Sequence, residues 1–173
     1  MHTNKNIIGV RKMINIFNKL PSTTHRVVIR TNPNVNAQIR NQTILNLNIY
    51  KNCSDEEKSK RISMLKFEWD TERVLETNAA SIIFISSILG LKFSKCWFFV
   101  TGTVGFFLLQ HALTGWCPPL PLIRMMGVRT AEEINNERTV LKMLRKDFTQ
   151  NKKNNNNKNK IINVVDMLRM VEK

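Results

Sequence analysis

Cysteine is scarce and scattered in this chain of 173 residues: Cys53, Cys96 and Cys117 are the only three, and no two form a CxxC pair. That spacing supports neither a disulfide framework nor a thiolate zinc site, and a reducing compartment suits most of the chain. No segment carries a complete catalytic, cofactor-binding or metal-binding constellation, so no cofactor or metal is expected and the reading leans away from an enzyme. The N-terminal stretch MHTNKNIIGVRKMINIFNKL lacks an uninterrupted apolar core and a small-residue cleavage site, which makes it a poor signal peptide. The most informative absence is charge. Between Lys95 and Arg124 there is no Asp, Glu, Lys or Arg, whereas both flanks are dense in all four.

That gap holds the second of two apolar segments. Cys96 to Trp116 is 21 residues without a formal charge, and at about 1.5 Å per residue it can cross a hydrocarbon core about 30 Å thick. Trp97 and Trp116 sit near its ends, where indole rings favour the headgroup interface. The first segment, Asn78 to Phe93, has 16 residues and would span roughly 24 Å. Helix continuing upstream through Val74 and Leu75, local thinning, or snorkelling of Lys92 and Lys95 would make up the difference. The competing reading, two buried helices of a soluble core, needs partners able to cover Phe98, Phe99, Phe106, Phe107, Leu108 and Leu109 all round. The flanks offer only one-sided apolar stripes.

Basic residues then set an expected orientation. Of the 27 Lys and Arg residues, 13 precede the first span, two (Lys92 and Lys95) lie between the spans and 12 follow the second. Both termini are therefore expected in the cytoplasm. The formal net charge of +14 is spread along the chain with no recognition helix, aromatic RNA-binding pair or zinc finger. Anionic lipid is a sufficient partner for it, and nucleic acid is not expected.

The flanks read as helices. Asn32-Pro33 offers an N-cap with proline at N1 for a helix to about Tyr50. Ser54-Asp55-Glu56-Glu57 is a capping box, and the helix it starts is expected to run through Ile62, Leu65, Trp69 and Leu75 directly into the first span. Thr130-Ala131-Glu132-Glu133 is a second capping box, leading an amphipathic helix with Ile134, Leu141, Leu144 and Phe148 at helical spacing. Asn151 to Lys160, NKKNNNNKNK, reads as a disordered linker, followed by a small tail helix from Ile161 to Val171. The expected organisation is a partly helical cytoplasmic segment (1–53), a helix, hairpin and amphipathic helix (54–148), and a linker with tail helix (149–173). The fold class is all-α, a two-helix transmembrane hairpin with flanking amphipathic cytoplasmic helices.

Three features of the hairpin carry candidate function. Gln110, Thr114 and Cys117 fall on one helical face beside His111, a polar stripe leading from within the bilayer to a thiol; interhelical hydrogen bonding is the plainer use of such groups. Ser86 and Gly90 in the first span, with Thr101, Gly102 and Gly105 in the second, permit close backbone approach, either within the hairpin or between two copies. Gly115-Trp116-Cys117-Pro118-Pro119-Leu120-Pro121 ends the second span, because prolines lack the N–H donor and restrict their predecessors. Cys117 there is a small interfacial apolar residue or, with Arg124 and His111 nearby in sequence, a thiol whose thiolate is stabilised.

At Gly115-Trp116-Cys117-Pro118 the chain resembles the YgaP-like transmembrane domain of bacterial inner membranes, a two-helix module with a GWCP or GFCP signature after its second span. Leu108 to Leu113, Met126-Gly127-Val128, Leu20 to Thr24, Trp69 to Arg73 and Arg129 to Ile134 extend the likeness over roughly Leu20 to Phe148. The resemblance implies an inner-membrane location and a dimerising hairpin. In its best-known members the module follows a rhodanese domain, a sulfurtransferase. No rhodanese-like loop or α/β pattern precedes Lys58 here, so this looks like a longer variant without that domain, and sulfurtransferase activity does not carry over. The expected role is an inner-membrane anchor that dimerises. The alternative is a membrane component of sulfur or small-anion handling through Cys117, with a rhodanese or other sulfur-metabolism protein as partner.

Overall fold

The computed structural model describes residues 21–22, 24–145 and 163–172. The N-terminal stretch weighed as a signal peptide, Leu20 and Thr23 of the resemblance, Phe148, the Asn151–Lys160 linker and Ile161–Ile162 of the tail helix lie outside the described residues. Among the described residues all regular structure is helical: α1 (Arg26–Arg30), α2 (Pro33–Lys51), α3 (Asp55–Met64), α4 (Thr71–Lys92), α5 (Trp97–Thr114), α6 (Leu120–Met125), α7 (Ala131–Leu144) and α8 (Val164–Val171). They divide into two compact units. One comprises the described residues up to Thr31 with Leu75–Leu120; the other comprises Asn32–Val74 and the described residues from Pro121 onward.

The first unit is built on the hairpin. α4 and α5 are both long and apolar enough to cross a bilayer, yet only 17% and 6% of their apolar windows are buried within the chain. A soluble core helix would be mostly buried, so these side chains face outward for want of protein to cover them. What joins the two helices is local. The Ser86 and Thr101 hydroxyls share a 2.7 Å hydrogen bond, and the Phe98 ring lies 3.0 Å from where a Cβ on Gly90 would stand. In the bilayer no hydrophobic force drives such helices together, so close packing at small residues and interhelical hydrogen bonding are the contributions that act there.

The second unit has an ordinary apolar core. Leu47 of α2, Ile62 of α3, Leu65 just beyond it, Ile134, Val140 and Leu141 of α7, and Val164 and Leu168 of α8 are buried together. Ile44, Tyr50, Leu144, Met167 and Val171 pack around them. Three of its helices, α2, α3 and α7, start where the sequence places them. Asn32 accepts from the Asn34 amide ahead of Pro33, and the Ser54 and Thr130 capping boxes both close reciprocally. Bonding to the Ser54 amide holds the Glu57 carboxyl below the usual glutamate range.

One expectation is corrected. The helix begun at Ser54 does not run into the first span: α3 ends at Met64, residues 65–67 form a turn, and a new helix starts at Thr71. Two causes are visible. Leu65 is buried in the second unit's core, and Asp70 supplies a fresh cap, its carboxylate accepting from the Arg73 amide at 2.8 Å. Two short helices also join those expected: α1, and α6, where Pro121 falls in a first turn that needs no amide donor.

Candidate functional site

The end of α5 is closed by a cation. Gly115 adopts φ 74°, a left-handed conformation that terminates the helix, and its amide bonds the His111 carbonyl at 2.8 Å. The chain turning away leaves late carbonyls unpaired, and the Arg26 guanidinium donates to the Ala112 carbonyl at 2.7 Å. Positive charge at a helix C-terminus also complements the helix dipole. The approach is so close that a Cβ on Gly115 would stand 2.7 Å from the Arg26 backbone. Only glycine satisfies both the angle and the space at this position. Arg26 was not legible as a cap, because it lies 86 residues from its acceptor.

The expected polar stripe is placed as follows. Gln110 and Thr114 are half-buried, and the Thr114 hydroxyl donates to the Gln110 backbone carbonyl at 2.9 Å. His111 and Cys117 are each 3% exposed. The Cys117 carbonyl accepts from the Leu120 amide at 3.1 Å and so begins the turn into α6. Trp116, Pro118 and Pro119 are exposed around it. Of the small residues, Ser86, Gly90 and Thr101 are spent inside the hairpin, while nothing lies within 4 Å of a Cβ placed on Gly102 or Gly105.

The second unit contains the densest polar chemistry. Arg124, 1% exposed, forms a fork with Glu133 at 2.7 and 2.8 Å and also donates to the Val128 carbonyl and the Asn36 side chain. Arg129 forks onto Glu68 with two 2.7 Å bonds and donates to Glu137, which Arg61 also reaches at 3.0 Å. Burial opposes the charge on Arg129, but Glu68 and Glu137 outweigh it and raise its pKa, so it stays protonated. Arg61, Glu68, Arg124 and Arg129 border a cavity of about 390 Å³ whose lining also includes Gln38, Gln42 and Asn46. Each arginine on its wall already has a carboxylate, so the walls are close to neutral and the constellation works as a clasp. Thr71 completes it, its amide and hydroxyl bonding the Arg129 carbonyl at 2.8 and 3.0 Å. Sequence reading found the Arg129 to Ile134 motif but not its partners, since Glu68 and Arg61 come from a segment some sixty to eighty residues away. Among the described residues no group of three His, Cys, Asp or Glu side chains could hold a metal ion.

Residues 70–133 match the family described as "Inner membrane protein YgaP-like, transmembrane domain". No curated protein and no solved structure matches the chain. The match is narrower than the resemblance from Leu20 to Phe148. It opens on Asp70, which caps α4, and closes on Glu133, which completes the Thr130 capping box and clasps Arg124. From that cap to that clasp, the chain is similar to the YgaP-like inner-membrane transmembrane domain.

Proposed function

We propose that the protein is an inner-membrane anchor whose hairpin holds a cytoplasmic helical unit at the bilayer and pairs with a second copy through α5, with both termini in the cytoplasm. The observation that carries the anchoring role is that α5 is long and apolar enough to cross a bilayer while only 6% of its apolar window is buried within the chain. Pairing is supported by Gly102 and Gly105, which have open space where a Cβ would stand, whereas Ser86, Gly90 and Thr101 are engaged within the hairpin. Orientation is supported by the two basic residues between the spans against 13 and 12 outside them.

The test of anchoring is an alkaline carbonate wash: the protein is expected to stay in the membrane pellet, and release into the supernatant would overturn the reading. For orientation, Cys96 between the spans is a natural reporter. A membrane-impermeant maleimide applied to the periplasmic side should label Cys96 and spare Cys53, and the reverse pattern refutes the topology. For pairing, Gly102→Leu or Gly105→Leu should abolish crosslinking between copies, whereas equal crosslinking in both variants would remove α5 as the interface.

A further inference from the structure

The second unit exposes large apolar side chains where its chain joins the spans. Phe67 is 78% and Trp69 48% exposed just before α4, and Met125 and Met126 are 70% and 74% exposed at the end of α6. These are two separate segments, 67–71 and 125–129, but they are stitched side by side. Thr71 bonds the Val128 and Arg129 carbonyls, and the Arg129 guanidinium forks onto Glu68. A protein that builds an ion-pair clasp behind such residues fixes their position although no described part of the chain covers them.

Chain continuity supplies the occupant. α4 is unbroken from Thr71 to Lys92. Counting about 20 residues back from Lys92, the length needed for a ~30 Å core, places the other boundary near Arg73. Trp69 then falls within about one helical turn of the hydrocarbon, in the headgroup layer. The Arg73 guanidinium lies 4.6 Å from the Trp69 ring centroid, an arrangement that lets the ring sit at the boundary and the cation face phosphate. Met125 and Met126 follow the other span and are tied to the same layer through the clasp.

We propose that Phe67, Trp69, Met125 and Met126 form a lipid-docking rim that inserts into the headgroup and upper acyl region, so that the ion-pair clasp seats the helical unit on the bilayer surface. The rim rests on the hairpin spanning the membrane and is independent of which side the termini occupy. The test uses the full-length protein with Trp97→Phe and Trp116→Phe, which leaves Trp69 as the sole indole. It is reconstituted into vesicles of phosphatidylethanolamine and phosphatidylglycerol, and carbonate resistance of the same sample establishes integration separately. Lipids brominated near the top of the acyl chain should quench Trp69 severalfold more than lipids brominated near its end, and aqueous iodide should quench it weakly. A fluorophore on the thiol introduced by Met126→Cys, with the three natural cysteines changed to serine, should show the same depth dependence. Strong quenching of both probes by iodide would overturn the rim, leaving the unit projecting into water. Probes shielded from both lipid and iodide would overturn it in favour of cover by a second copy.

Discussion

Glu137 gives the most demanding check on the clasp. Its side chain has no solvent exposure, and it is bonded by Arg129 and Arg61, whose side chains are 9% and 21% exposed. Glu137→Gln keeps the volume and one acceptor but deletes the charge opposite two guanidinium groups. Removing one partner from a buried pair costs about 3 to 5 kcal/mol. The lower end applies here, because Arg129 keeps its fork to Glu68 and Arg61 is exposed enough to turn toward water. About 3 kcal/mol is roughly two decades in an opening equilibrium. Hydrogen exchange on the reconstituted protein should therefore show amide protection in Ala131–Leu144 reduced on the order of a hundredfold. Asp166→Asn is the matched control. Its pair with Arg169 spans 4.0 Å with side chains 59% and 69% exposed, so its loss should change protection by less than about threefold. A fall of less than about fivefold in Glu137→Gln, comparable to the control, would refute the assignment of the clasp as the unit's organising contact.

Three further outcomes are expected. Gly115→Ala requires a left-handed residue with a Cβ against the Arg26 backbone, and should cost at least about 1 to 2 kcal/mol, seen as a lower melting temperature in detergent; an unchanged melt would show that the Arg26 contact does not hold the end of α5. Because the folded pKa of Glu57 is lowered, its capping contribution is complete above the ordinary glutamate value near 4.3 and is lost as pH falls through the lower folded value. Acidification should thus loosen α3, with the neutral capping partner in Glu57→Gln removing that pH dependence; identical acid profiles in the two proteins would contradict it. Cys117→Ser tests the sulfur-handling alternative: with the thiol only 3% exposed, sulfane-sulfur labelling and sulfur-dependent growth should be unchanged, and a loss of either would establish that alternative.

The hairpin was legible because two signals are one-dimensional. A bilayer demands length and the absence of charge, both of which can be counted along Cys96 to Trp116, and helix caps act within three residues, so Asn32, Ser54 and Thr130 announce their helices locally. The same locality explains the error before the first span. Asp70 is as good a cap as those three, but its helix lay within an apolar pattern that reads continuously from Ile62 to Leu75, and only the burial of Leu65 in a separate core shows where that pattern breaks.

By itself, then, the sequence determined the all-helical class, the two spans, the capped starts and the proline-closed exit at Gly115 to Pro121, because each depends on neighbours a few residues apart. Tertiary structure decided which groups meet across long stretches of chain. It brought Arg26 onto the Ala112 carbonyl, joined Arg61, Glu68, Arg129 and Glu137 into one clasp, and divided the small residues between those packed inside the hairpin and those left open on α5. Such pairings depend on where the backbone carries each side chain, and periodicity, which sees only one helix at a time, holds no record of that.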